Sequence, residues 1–134
     1  MTQQPEPTRE GGTGLVHLRR AFGYSLAGLR TTFCHESAFR QEVLLCLVAV
    51  PLGLWLGQDG VERALLVGSL LLVLAMELMN TAVENAIDRI SAERHELAKR
   101  SKDAGSAAVF VTLVLAGFVW LQIVILPRLG LLRN

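Results

Sequence analysis

From Ala104 to Pro127 the chain carries no charged side chain. A helix of that length reaches roughly 36 Å at 1.5 Å per residue, more than the ~30 Å hydrocarbon core of a bilayer. Such a run constrains the fold strongly, because in lipid every backbone N–H and C=O must be satisfied within a helix or a closed barrel. Two further runs point the same way. Val43 to Gln58 is uncharged and, started near Glu36, makes a helix of about 30 Å, while Ala64 to Met76 is also uncharged. With 51% hydrophobic residues in 134, the chain is one small membrane domain, too apolar for a typical soluble one. The expected fold is an all-α membrane protein with spans at about 36–57, 61–88 and 104–127.

The second span does not end where its apolar run does. After Met76 it acquires Glu77, Asn80, Glu84 and Asp88 with no Gly or Pro between them. At steps of three, four and four residues, these four side chains share one narrow helix face. A charge near the bilayer centre costs roughly 2.5–3.5 kcal/mol on insertion scales, so acids in or beside a span need a partner, a proton or a cation. Glu77, set between Leu72-Val73-Leu74 and Val83, is the residue most in need of one.

The remaining segments organise around these spans. Residues 1–14 are polar and hold Pro5, Pro7, Gly11, Gly12 and Gly14, the composition of a mobile tail, and lead into a single domain of residues 15–134. From Leu15 to Phe33, apolar Leu15, Leu18, Phe22, Leu26, Leu29 and Phe33 recur at helical spacing, with His17, Arg19, Arg20, Tyr24 and Arg30 between them. That pattern is an amphipathic surface helix with a basic side, suited to the headgroup region. Pro51 and Gly53 are positions for a kink in the first span, and Gln58-Asp59-Gly60 reads as a turn. Cys34 and Cys46 have no metal-ligand or redox spacing and read as packing residues. No cleavable signal segment is expected, so the spans themselves direct insertion.

The basic residues set the orientation. Arg9, Arg19, Arg20, Arg30 and Arg40 precede the first span, and Arg89, Arg94, Lys99, Arg100 and Lys102 lie between the second and third; only Arg63, Arg128 and Arg133 fall on the other side. The N-terminus and the 89–103 loop are therefore expected in the cytoplasm, with the protein multi-pass in a bacterial cytoplasmic (inner) membrane. Glu77 then lies about 21 Å along the helix from Arg63, inside the cytoplasmic leaflet, and Glu84 about 10 Å further, near its surface. Glu36, the Glu77–Asp88 face and Lys102-Asp103 converge at this boundary. Carboxylates and a lysine at a water-facing edge are the parts that hold Mg²⁺ and nucleotide phosphates, with the deeper Glu77 free to serve a lipid hydroxyl. From spacing alone, an ion-translocating or assembly subunit is equally open.

The residues narrow the choice further. Glu77-x-x-Asn80-Thr81-Ala82-Val83-Glu84-x-x-Ile87-Asp88, followed by His95-Glu96-Leu97-x-x-Arg100-x-Lys102-Asp103-x-Gly105-Ser106-Ala107-Ala108-Val109, resembles the prokaryotic diacylglycerol kinase family. So does Ala21-x-Gly23-Tyr24-Ser25-x-x-Gly28-Leu29-Arg30 with Glu36-x-Ala38-Phe39-Arg40-Gln41-Glu42, and the resemblance covers about residues 15 to 127. It implies a three-span homotrimer with an N-terminal surface helix that transfers the γ-phosphate of MgATP to a membrane lipid alcohol. It implies Glu77 as general base, Glu36 and Glu84 as Mg²⁺ ligands, and Asn80 supporting the same site. Lys102 and Asp103 correspond to a phosphate-contacting pair, Tyr24 and Glu93, Arg94 and His95 to nucleotide contacts, and Arg30, Phe39, Ser106 and Trp120 to lipid contacts. His17 departs from the arginine common there in the family, and Arg94 from an aromatic. The rival within the fold is an undecaprenol kinase, whose branch tends towards Lys-Asp-x-Ala-Ala-Gly-Ala where this chain has Lys102-Asp103-Ala104-Gly105-Ser106-Ala107-Ala108. The resemblance therefore favours diacylglycerol, with phosphatidic acid as product and no nucleic-acid partner.

Overall fold

The computed structural model describes residues 14–90 and 95–131; the tail at 1–13, with Glu93 and Arg94, lies outside them. The described residues are helical almost throughout. They divide into two compact units, one ending at Thr31 and one beginning at Thr32. The N-terminal unit contributes most of α1, Gly14–His35, a single helix over the stretch where apolar residues recur at helical spacing.

Within the second unit, α2 (Ser37–Leu56), α3 (Gly60–Ile90) and α4 (Glu96–Trp120) pack with α3 in contact with both others. Three helical stretches, Ser37–Leu56, Gly60–Ile90 and Glu96–Arg128, are long and apolar enough to cross a membrane. α2 runs through Pro51 without interruption. α4 begins at Glu96, about two turns before its charge-free run, because His95 caps it: the ring Nδ1 accepts from the Leu97 N–H at 3.2 Å. Towards its end the third stretch widens into a π-helical turn, Leu121–Ile125, followed by a last turn at Leu126–Arg128. Pro127 explains the position, since a proline ring in a regular helix collides with the carbonyl four residues back, here Ile123.

α3 is the central helix, and its buried face carries Leu66, Ser69, Leu70, Val73, Glu77 and Thr81. The core is thin: Phe39, Leu66, Leu70, Val73, Val109 and Ala116 are the buried apolar residues. Large apolar side chains such as Leu47, Val48, Trp55 and Phe110 face outward, as they do when the surroundings are hydrocarbon. At the end of the bundle away from Glu77, Gly53 of α2 lies against Leu66 and the indole of Trp120; a Cβ there would stand 3.2 Å from the Leu66 Cβ. Trp120 Nε1 donates to the Leu66 carbonyl at 3.3 Å, tying α4 to α3.

Candidate functional site

The polar face of α3 survives folding as a face. Glu77 is 7% exposed although it is an acid in an apolar helix, and no ion pair reaches it among the described residues. Its charge instead interacts with those of Glu84 and Glu36, and that of Glu42 with Glu77. Carboxyl groups from α2, its N-terminal edge and α3 thus lie within electrostatic reach of Glu77. Like charges so arranged repel, and without a cation or protons the cluster would oppose folding.

Local hydrogen bonds set the positions of these groups. Glu36 is the residue before α2, with extended backbone (φ −101°, ψ 117°), so its side chain stands at the helix start and caps nothing. That edge is held by Arg40, whose Nη1 donates to the carbonyls of Phe33 (3.2 Å) and Cys34 (2.9 Å), the exposed acceptors at the end of α1. On α3, Asn80 Nδ2 donates to Glu84 Oε1 at 3.2 Å. The other side of that amide, Oδ1, is buried without a partner, as is Oε2 of Glu42. α4 comes close here only because residue 105 is glycine: a Cβ on Gly105 would fall on Asn80 Oδ1. Buried polar atoms left unpaired cost about 1–3 kcal/mol each, and two around one carboxylate mark a place prepared for another molecule.

The α4 residues meet this face one turn further out. Lys102 Nζ pairs with Asp88, and Lys99 with Asp103 at 3.2 Å. Lys102 and Asp103 thus have protein partners of their own, yet both pairs are largely exposed, and exposed pairs contribute only about 0–1 kcal/mol. The Lys102 ammonium can therefore exchange its carboxylate partner for another anion at little cost.

Comparison with known proteins identifies the family. The sequence profile of the prokaryotic diacylglycerol kinases matches residues 23–124. A diacylglycerol kinase of Haemophilus influenzae is 50% identical over 108 residues, 81% of this chain and 92% of that protein. One from Pseudomonas aeruginosa is 46% identical over 121 residues, 90% and 98% of the two chains, and one from Escherichia coli K12 is 44% identical over 108 residues, 81% and 88%. The chain belongs to the prokaryotic diacylglycerol kinase family. It is therefore a lipid kinase, a phosphotransferase of lipid metabolism, with ATP as co-substrate.

For a member of this family the donor set fits Mg²⁺. Glu36 and Glu84 offer hard carboxylate oxygens and are half-buried, and Mg²⁺ is usually held by one or two carboxylates together with water and substrate phosphates. Among the described residues no group of three or more His, Cys, Asp or Glu is arranged as a metal cage, so the remaining coordination of a bound ion would fall to phosphate and water.

The other expected site residues fall in several places. His95 is at the α4 N-cap, with its Nδ1 used by the backbone, and Ser106 is on α4 beside Gly105. Tyr24 and Arg30 are on α1 in the N-terminal unit, and Glu93 and Arg94 are outside the described residues. Phe39, expected against substrate, is 2% exposed; its ring belongs to the core and offers no open contact surface. Trp120 is bonded at Leu66, roughly 16 Å along α3 from Glu77. One participant, Glu42, has no role assigned from sequence, whereas Gly105 acts as the small residues Gly105, Ser106, Ala107 and Ala108 at the head of the third span are expected to, by permitting close helix approach. The signal for Glu42 is the one that singles out Glu77, an acid bordering an uncharged span.

Proposed function

We propose that this lipid kinase transfers the γ-phosphate of MgATP to diacylglycerol, giving phosphatidic acid at the cytoplasmic face of a bacterial inner membrane. The observation that carries the reading is the buried Glu77, which has no cationic partner among the described residues and whose charge interacts with those of Glu36, Glu42 and Glu84. The names of the relatives support the choice of lipid. Glu77 is buried at the depth a lipid hydroxyl reaches, and it takes that hydroxyl's proton as the oxygen attacks phosphorus. Glu36 and Glu84, nearer the surface, hold Mg²⁺, which when bound neutralises phosphate charge. Asn80 fixes Glu84. Lys102 and Asp103 leave their surface pairs to meet the phosphates, and Tyr24, Glu93, Arg94 and His95 serve the nucleotide. Arg30, Ser106 and Trp120, with Phe39 as packing support, serve the lipid.

Phosphoryl transfer asks chiefly for positioning and charge neutralisation, which a small helical bundle supplies without a nucleotide-binding fold. α1 lies in the headgroup layer with its basic side towards anionic lipid, and a homotrimer covers the outward apolar and polar surface that one thin bundle leaves open.

The deciding assay offers the purified protein γ-labelled ATP with diacylglycerol and undecaprenol side by side. Label in phosphatidic acid is the expected result; label in the polyprenol alone assigns the other branch. A cysteine placed at Asp59 is expected to react with an impermeant reagent from outside and one at Ala98 not to, and crosslinking in mild detergent is expected to stop at three subunits. Reversed labelling, or full activity in a monomeric preparation, would refute these.

A further inference from the structure

Of the two expected Mg²⁺ ligands, only Glu36 lies outside a helix. Glu84 is within α3 and accepts from the Asn80 amide; Glu36 stands at the break between α1 and α2, with extended backbone and a side chain that caps nothing. Thr32 before the break and Phe39 after it are buried. Between them the chain is exposed, apart from the half-buried Glu36. Packing therefore does not fix this joint, although Mg²⁺ demands near-ideal octahedral geometry of its ligands.

Arg40 closes the joint instead. Thr32 still accepts from the Glu36 N–H at 2.8 Å, but the extended backbone at Glu36 ends the helical ladder there. The next two carbonyls, of Phe33 and Cys34, accept from Arg40 Nη1 at 3.2 and 2.9 Å. The Arg40 N–H donates to the Glu36 carbonyl at 3.3 Å. Residue 40 thus grips the chain just before Glu36 with its side chain, and Glu36 itself with its main chain. Acids lie near it in sequence, Glu36 and Glu42, yet the guanidinium forms no ion pair among the described residues. A guanidinium that neutralises carboxylates pairs with them, often bidentately; this one is turned to main-chain carbonyls.

We propose that Arg40 is a positioning residue for Mg²⁺ binding: its clamp on the Phe33 and Cys34 carbonyls fixes the joint from which Glu36 presents its carboxylate. The proposal rests on the lipid-kinase reading above, in which Glu36 and Glu84 hold the ion. Arg40 acts through the backbone, with no contact to the metal. Its two bonds are exposed, so each adds little to stability. Their loss frees a ligand without unfolding a helix, and metal binding and stability should separate. Supports behind a metal ligand typically contribute 10- to 100-fold in metal affinity; about tenfold is expected here, because the support is indirect.

The test measures equilibrium binding of the Mn²⁺ complex of a non-hydrolysable ATP analogue to the full-length protein in detergent micelles, read by electron paramagnetic resonance. Arg40→Met keeps an apolar stem and removes the donors. It is expected to weaken binding of the Mn²⁺ complex about tenfold, to leave binding of the metal-free analogue unchanged, and to raise the Mg²⁺ concentration for half-maximal rate with the KM for diacylglycerol unchanged. Both clamp bonds come from one nitrogen, so the ammonium of Arg40→Lys is expected to recover most of the affinity. Glu36→Gln is expected to weaken the Mn²⁺ complex by itself, and in that background Arg40→Met should add little, since both act on one ligand. Equal losses in the two backgrounds, an equal loss with the metal-free analogue, or a lowered thermal transition with unchanged Mn²⁺ binding would overturn the proposal and leave the metal assignment standing. If Glu36→Gln holds the Mn²⁺ complex as tightly as the unsubstituted protein, the assignment of the ligand fails first and the clamp falls with it.

Discussion

The two ends of the bundle treat polar groups in opposite ways. Around Asp59 they are satisfied: Asp59 Oδ1 accepts from the N–H groups of Val61 (2.8 Å) and Glu62 (2.9 Å), Glu62 Oε2 accepts from the Gln58 N–H (2.7 Å), and Arg63 Nε donates to the Gly57 carbonyl (3.0 Å). In mid-bundle, Ser69 and Thr112 bond carbonyls of their own helices, at 3.0 and 2.8 Å. Around Glu77 the rule is broken: a buried acid interacts with neighbouring carboxyl groups, and two buried oxygens have no partner among the described residues. A membrane helix tolerates polar residues when they bond internally, as Ser69 does. On the proposed function, the polar groups around Glu77 serve a molecule outside the chain.

If that contrast is functional, substitutions should divide by end, and the largest effect belongs to Glu77. Glu77→Gln removes a proton acceptor with almost no change of volume and is expected to lower kcat by on the order of 10²- to 10⁴-fold while MgATP affinity stays nearly unchanged. Glu84→Gln weakens a metal ligand and is expected to reduce equilibrium MgATP binding together with turnover. The pair is measured together. Equal loss of nucleotide binding in both variants, or full activity in Glu77→Gln, would sink the division of roles.

A smaller effect is expected one contact away. Gly105→Ala places a methyl on Asn80 Oδ1, so the amide must turn and its hydrogen bond to Glu84 breaks. Loss of such an outer support typically costs 10- to 100-fold in metal affinity, and the lower end is expected here because Asn80 keeps some freedom to move. The readout is the Mg²⁺ concentration needed for half-maximal rate at saturating lipid, which should rise with the KM for diacylglycerol unchanged. A rise in both, or in neither, would mean that Gly105 only packs.

How much of this is legible before folding depends on the range of the interaction. The spans follow from charge-free runs, and the common face of Glu77, Asn80, Glu84 and Asp88 from helical spacing alone. The start of α4 at Glu96 is hidden because residues 96–103 are mostly charged or polar and lie outside any apolar run; the capping His95 decides it. The resemblance of Lys102 to a phosphate-contacting lysine is visible in sequence, but its pairing with Asp88, fourteen residues away, is not. Glu42 escapes for the same reason. Its role exists only once α2 is laid against α3, and neither spacing nor propensity within one helix encodes that register; Gly105 is legible as a small residue that permits close approach, but its contact with Asn80 is not.

The smallest effect is expected at the satisfied end, where the comparison is easiest to break. Asp59→Ala removes the acceptor for two N–H groups at the start of α3. Loss of an N-cap costs about 0.5–2 kcal/mol, so the thermal transition in detergent should fall by a few degrees. The site lies far off: Glu77 is about 27 Å along α3 from Asp59, and between them the Gly53–Leu66–Trp120 junction locks the three helices together. Below the new transition, kcat and both KM values should therefore match those of the unsubstituted protein. Asp59→Asn, which keeps one accepting oxygen, should recover most of the lost stability. If Asp59→Ala instead lowers kcat well below its transition temperature, strain at this end reaches the carboxylate cluster, and the two ends are one mechanical unit.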